Sequence, residues 1–364
     1  MTTHARTSRR SHLALAALAV FALAGCSDSV APGDDFDAAL TGQAAEQVFQ
    51  AIEDNEAVQS IAVLGEAFPS FATAPIAATL PTAPWHPGDW SAQRLSALQA
   101  LPFDPTVAEV LFPLDYLGTT WVYHEIEGVY VIAPDSTDGP ADGVRISLYA
   151  VDPILHQIVE PLTYVGYLEL TDEGDATADA VGISAFIGST NVLNYVASAT
   201  VTTSDVTFSA DGFVSDGSTQ VNFELSVSLA PESEQAAIDY LVYIGESASN
   251  PDRSVRLEVD ADGLTGTMSV TLTVVHDGHT VVFNVSGNDL EISGTVTHNG
   301  VQVVTISGTG DNPVFLNTLT EEPLTSAELQ ALGELLLAVF VILDHFDNLL
   351  WPAFLVLQIP AFVL

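Results

Sequence analysis

Lysine is missing altogether, and the 364 residues carry only 7 basic side chains against 47 acidic ones, a formal net charge of −40. A surface of that sign repels phosphates instead of displacing their counterions, which excludes nucleic acid as a partner. It equally excludes electrostatic docking on anionic lipid headgroups. There is one cysteine, so neither a disulfide framework nor a Cys-rich metal module can form. A chain without lysine cannot supply a phosphate loop of the Walker type. The Gly-x-Ser-x-Gly elbow of serine hydrolases is absent, since Gly245-Glu246-Ser247 lacks the second glycine. The 47 acids offer many accidental pairs, so no carboxylate pair stands out for glycoside hydrolysis. No enzyme is expected. What the chain does have is apolar material: 48% of residues are hydrophobic, ample for one large core.

The first 26 residues read as an address. Arg6, Arg9 and Arg10 precede an apolar stretch from Leu13 to Leu23, and Leu23-Ala24-Gly25-Cys26 follows. Charge followed by a short apolar run is the order of a secretory signal. Small residues before a cysteine resemble the lipobox of bacterial lipoproteins. That resemblance covers these residues alone. It implies cleavage after residue 25, palmitate-type acylation of Cys26 as the first mature residue, and a tether over 26–33. Ser27 rather than Asp directly after Cys26 points, by the same resemblance, to the outer rather than the inner membrane of a bacterial envelope. An ordinary signal peptide is the other reading of the stretch; the lack of a second cysteine to pair with Cys26 favours the lipobox. Cleavage would leave four arginines, Arg94, Arg145, Arg253 and Arg256, against all 47 acids. Like-charge repulsion on that scale favours a soluble monomer, and salt or divalent cations relieve it.

Beyond the tether the pattern changes twice, giving an N-terminal helical and proline-rich region (34–118), a sheet region (119–320) and a C-terminal region (321–364), together one domain. Phe36, Leu40, Ala44, Val48, Ile52, Ile61 and Leu64 recur at helical spacing, which predicts helix from Asp34 to about Phe68. Pro75, Pro81, Pro84 and Pro87 then preclude a long helix. From about Thr119 to Phe315 the period is two. Val221, Phe223, Leu225, Val227 and Leu229, for example, alternate with Asn222, Glu224, Ser226 and Ser228. One apolar and one polar face marks antiparallel strands wet on one side. Asp277-Gly278 and Asn299-Gly300 suit two-residue hairpins, and Asp211-Gly212, Asp216-Gly217 and Asp262-Gly263 mark further turns or bulges. About ten strands in meander order are expected, with no parallel sheet because no helix-length crossovers separate them.

Such a sheet must cover its apolar side. Thr325-Ser326-Ala327-Glu328 reads as a capping box opening a helix, and residues 335–343 are apolar all round, tolerable only in a surrounded helix. Nine residues are too few to span a bilayer, which takes about 20. Pro352 and Pro360 should keep Trp351–Leu364 from being helical. The predicted class is therefore mainly β with flanking helices (α+β), a large curved antiparallel meander or half-barrel packed around the C-terminal helix.

Candidate sites are few. His276 and His279 flank the Asp277-Gly278 turn, and His298 precedes Asn299-Gly300 two reversals later, so a meander returns all three to one rim. Strands about 4.8 Å apart allow imidazoles to share one ion such as Zn²⁺. Acidic loops holding Asp135, Asp138 and Asp142, or Asp172, Glu173, Asp175 and Asp179, suit Ca²⁺, as does the fragment Asp260-Ala261-Asp262-Gly263. Solvated turns are the plainer expectation for all of these, and no cofactor is required. Trp85, Trp90 and Trp121 could form a sugar platform but are expected to be core or lid residues. Two functions fit: a membrane-anchored structural or interaction protein that does no chemistry, partnered by other envelope proteins, or a carrier of lipid or another apolar ligand on the concave face. A helix filling that hollow favours the first.

Overall fold

Side chains that alternate at period two can bury one row and wet the next only as strands, and strand is what residues 120–317 form. In this computed structural model the described residues are 41–45, 52, 55–64 and 111–357, apart from 135, 153, 154, 156, 176, 177, 203, 231, 232, 246, 250, 289, 310 and 311. Side chains are described at all of these except 201, 334, 336–348 and 355. The signal stretch, Cys26 and its tether, the prolines from Pro75 to Pro87, Trp85, Trp90, Asp135, Pro360 and most of the apolar side chains of 335–343 lie outside them.

The strands are β1 (Thr120–His124), β2 (Val129–Ile132), β3 (Gly143–Tyr149), β4 (Val151–Asp152), β5 (Gln157–Ile158), β6 (Tyr164–Asp172), β7 (Asp179–Ile187), β8 (Thr190–Val201) and β9 (Val206–Ser215). They continue with β10 (Gln220–Ala230), β11 (Gln235–Ile244), β12 (Arg253–Asp262), β13 (Thr267–His276), β14 (His279–Gly287), β15 (Ile292–His298), β16 (Val301–Thr309) and β17 (Asn312–Asn317). β4 and β5 pair with each other; the other fifteen make one open sheet, ordered β17 down to β6, then β3, β1 and β2. Strands outnumber the ten expected because several reversals, such as 202–205 and 231–234, carry no Asn-Gly or Asp-Gly pair to announce them.

From β6 onward the chain is an unbroken antiparallel meander. One pair departs from the expectation: β1 runs parallel to β3, with Thr120 opposite Arg145 and Trp121 opposite Ile146. β1 and β2 form a hairpin, and the link 133–142 then returns the chain to the free side of β1. There β3, running opposite to β2, must run with β1. No helix is needed for so short a crossover; Gly118 N–H donates to Gly143 O at 2.9 Å and Gly139 N–H to Gly118 O at 3.1 Å to hold it.

The last edge is blunted, as edges must be if they are not to pair with other chains. Pro313 has no N–H to offer, Leu324 N–H donates to Phe315 O at 3.0 Å, and Asn317 N–H donates to Glu322 O at 2.9 Å.

The apolar face carries buried rows such as Ala197, Ala210, Leu225, Tyr240, Leu257, Leu272, Phe283 and Val296; neighbours along it are register partners. Asp211-Gly212, expected as a turn or bulge, lies inside β9 instead. A Cβ on Gly212 would fall 2.4 Å from Tyr195 Cβ and 2.1 Å from Asn194 O. Glycine is there because Tyr195 crowds the neighbouring strand, not because the chain turns.

Helices cover part of this face. The single helix expected over 34–68 is interrupted within the described residues. Residues 41–45 are helical, but Asn55 is extended and starts a new helix, α1 (Glu56–Ala62), its side chain accepting from Ala57 N–H and Val58 N–H. This is the N-cap chemistry by which asparagine opens a helix. The capping box forms as expected: Thr325 N–H donates to Glu328 Oε2 at 2.7 Å and Glu328 N–H to Thr325 Oγ1 at 3.3 Å. It opens α2 (Ser326–Leu357), which runs through Pro352 where a stop was expected. α2 packs on β7, β8 and α1. Leu335, Leu349, Leu350, Ala353 and Phe354 are buried, and Phe354 meets Phe208 at 5.1 Å between ring centres. Among the described residues no helix is long and apolar enough to cross a membrane.

Candidate functional sites

Type I′ turns put the histidines where the meander predicts. Asp277, Gly278, Asn299 and Gly300 all have positive φ, at 48°, 80°, 50° and 79°. His276 and His279 are register partners across the first turn, and Val281 faces His298 on the next strand. Counting by twos from the buried Val274, Val281 and Val296 puts all three imidazoles on the apolar face, at one rim.

Their hydrogen bonds describe a cluster rather than a set of open ligands. His279 Nδ1 and His298 Nε2 are 3.1 Å apart, with ring centres 5.2 Å apart and planes 23° from parallel. The two nitrogens therefore face each other along the line of centres, whereas metal ligands turn their lone pairs toward a common third point. Asn299 Oδ1 accepts from Thr280 N–H at 2.9 Å, which sets its Nδ2 3.3 Å from His279 Nδ1 and 3.4 Å from His298 Nε2. His276 turns elsewhere: its Nε2 is hydrogen-bonded to Thr41 Oγ1 at 3.2 Å, tying the 41–45 helical segment to the rim. Burial lowers the His276 pKa below the ordinary imidazole range, against the pull of Asp277. Among the described residues no three His, Cys, Asp or Glu side chains are grouped to hold a metal.

The acidic loops spend carboxylates on their own turns. Asp172 Oδ1 accepts from Gly174 N–H at 2.9 Å and Asp175 Oδ1 from Ala178 N–H at 3.1 Å. Asp262 Oδ1 accepts from Leu264 N–H and Thr265 N–H, at 2.9 and 3.1 Å. Trp121 is buried edge-on against Tyr116 at 5.3 Å, a core residue as expected.

A feature that period and spacing did not announce lies at the rim opposite the histidines. A cleft of about 710 Å³ there is lined by Ser228, Ala237, Asp260, Ser269 and Ser286 from one row and by Leu229, Ala236, Ala261 and Met268 from the row beside it. Each row runs through consecutive register partners across the strands. The signal was present in the alternation, but only register reveals that small residues on separate strands fall in line. Such a lining mixes hydroxyls and carboxylates with apolar side chains and offers no cationic group to an anion. In comparisons with protein families, characterised proteins and solved structures, nothing matches this chain.

Proposed function

We propose that this chain is a bacterial envelope lipoprotein, held by an acylated Cys26 in the outer membrane and displaying a wide β body that does no chemistry. Its role in this reading is structural or adhesive, through contact with other envelope components. The observation that carries it is how the apolar face is used. Leu349, Leu350, Ala353 and Phe354 of the chain's own helix are buried, so part of the apolar face is taken by the chain itself. A carrier of lipid needs free apolar volume where that helix packs.

The test has two parts. Cys26→Ser should abolish incorporation of radiolabelled palmitate and release the protein from the outer-membrane fraction; labelling that persists in the variant defeats the anchor. Native mass spectrometry of wild-type protein released from mild detergent should show the bare chain plus its own acyl groups. A stoichiometric co-purifying lipid would turn the reading into that of a carrier.

A further inference from the structure

The contacts of α2 give it a direction across the sheet. Near its start, a Cβ on Gly42 would fall 3.7 Å from Leu335 Cα, and Thr41 next to Gly42 is bonded to His276 at the histidine rim. Further along, the Leu349 carbonyl accepts from Tyr195 on β8. Phe354 then meets Phe208 on β9, the register partner of Ala199, which lies beyond Tyr195 on the way to the 202–205 reversal. That reversal contributes Asp205 to the cleft at the opposite rim. Leu357, where α2 ends, is buried. The sheet continues the same line: Phe208 pairs with Val227, and Val206 with Leu229. Leu229 opens the apolar row of the cleft, followed by its register partners Ala236, Ala261 and Met268 on β11 to β13. The end of α2 and this row therefore lie on one face, at one rim.

We propose that the segment following α2, Gln358-Ile359-Pro360-Ala361-Phe362-Val363-Leu364, docks in this cleft as a strap across the strands. Its length fits the span. Seven extended residues reach about 23 Å, and the four strand spacings from β9 to β13 cover about 19 Å at roughly 4.8 Å each. Its conformation fits as well, because Pro360 offers no N–H and disfavours helix at Ile359, which leaves the segment extended once α2 has stopped. The side chains complete the match. The segment carries no charge and is rich in large apolar groups, while Ala236 and Ala261 leave room between Leu229 and Met268 for a residue such as Phe362. Burying that side chain against the apolar row removes both surfaces from water. The segment is tethered to the rim it would occupy, so even a weak contact is held by a high effective concentration. This goes beyond the anchoring proposed above and does not depend on Cys26.

The experiment places the photo-crosslinker p-benzoylphenylalanine at position 362 of the full chain in mild detergent. After irradiation and digestion, mass spectrometry maps the residues it has captured. Cross-links within the chain should concentrate on Met268, Ala261 and Leu229. Ala261→Glu, or Ala261→Gln should the first fail to fold by circular dichroism, should cut their yield at least fivefold. Thr280→Glu, at the histidine rim, should leave it unchanged. Covalent dimers would give the cleft to a second copy and benzophenone–lipid adducts would give it to a lipid; either overturns the proposal. So do cross-links confined to other strands, no cross-link at all, or wild-type yield in the folded Ala261 variant. The Cys26→Ser protein should give the same map, so the strap stands or falls separately from the anchor.

Discussion

The hydroxyl of Tyr195, on β8, donates a 2.8 Å hydrogen bond to the main-chain carbonyl of Leu349, 154 residues away in α2. Pro352 stands three residues further along the same helix. Proline brings no N–H and its ring crowds the carbonyls one turn earlier, which kinks or ends most helices. Here the helix continues to Leu357, with Leu349 and Pro352 buried and a phenol from the sheet meeting the disturbed turn. Burial pushes the Tyr195 pKa far above the ordinary phenol range, so the hydroxyl stays a donor at any physiological pH.

Tyr195→Phe should destabilise the fold by about 1 kcal/mol, the usual net worth of one intramolecular hydrogen bond. Urea denaturation followed by circular dichroism measures it. In a Pro352→Ala background the regained N–H serves the carbonyl of Asn348, one residue before the one Tyr195 reaches, so the penalty of Tyr195→Phe should stay the same. A double-mutant cycle that departs from additivity would mean that the proline does disturb the Leu349 carbonyl.

Asn55 does two jobs from a buried position. Its Oδ1 accepts from Ala57 N–H at 2.9 Å and Val58 N–H at 3.4 Å, and its Nδ2 donates to Ser215 O at 2.8 Å. Asn55→Ala loses cap and cross-link together and should cost about 2 kcal/mol, the upper range for an N-cap. Asn55→Ser keeps a cap acceptor but not the donor to Ser215. Its denaturation midpoint should fall between wild type and the alanine variant.

These two residues show where sequence reading stops. The sheet was legible because its signal is local: Val270, Leu272 and Val274 alternate with polar neighbours whatever lies elsewhere. The capping box at Thr325 and Glu328 is local too, and it formed as read. Pro352 and Asn55 were misread for opposite reasons. The proline's stop is overridden by the burial of Leu349, Leu350, Ala353 and Phe354 around it, while Asn55 breaks a periodic pattern that looked continuous from Ile52 to Ile61. The histidine rim was predictable from turn chemistry, yet whether imidazoles converge on an ion or face each other depends on ring orientation, which spacing does not encode. The cleft, whose rows come from five strands, needed their register.

His276 gives the fold a pH dependence with a definite sign. Burial lowers its pKa below the ordinary value of 6.5, so the unfolded chain takes up its proton first. Its contribution to stability is complete above about pH 6.5 and is lost as pH falls toward the depressed folded value. Wild-type protein should thus lose stability between pH 7 and pH 5, before most carboxylates titrate. His276→Gln, which retains a polar partner for Thr41, should show a flatter profile in urea titrations at pH 7.5, 6.5 and 5.5. A parallel profile in the variant would assign the effect to other groups.

Charge repulsion supplies the last expectation. With 47 acids against 7 basic residues, the compact state carries unfavourable long-range energy that the expanded chain relieves. Ions shorten its reach, from roughly 30 Å at 0.01 M to about 3 Å at 1 M salt. The melting temperature should rise steadily as NaCl goes from 0.01 to 1 M. Because Asp172, Asp175 and Asp262 are engaged with their own turn amides, CaCl₂ and MgCl₂ at equal ionic strength should act alike, without a saturable step. A sharp calcium-specific rise complete at stoichiometric metal would instead mean that one acidic loop gives up its turn bonds to gather around the ion.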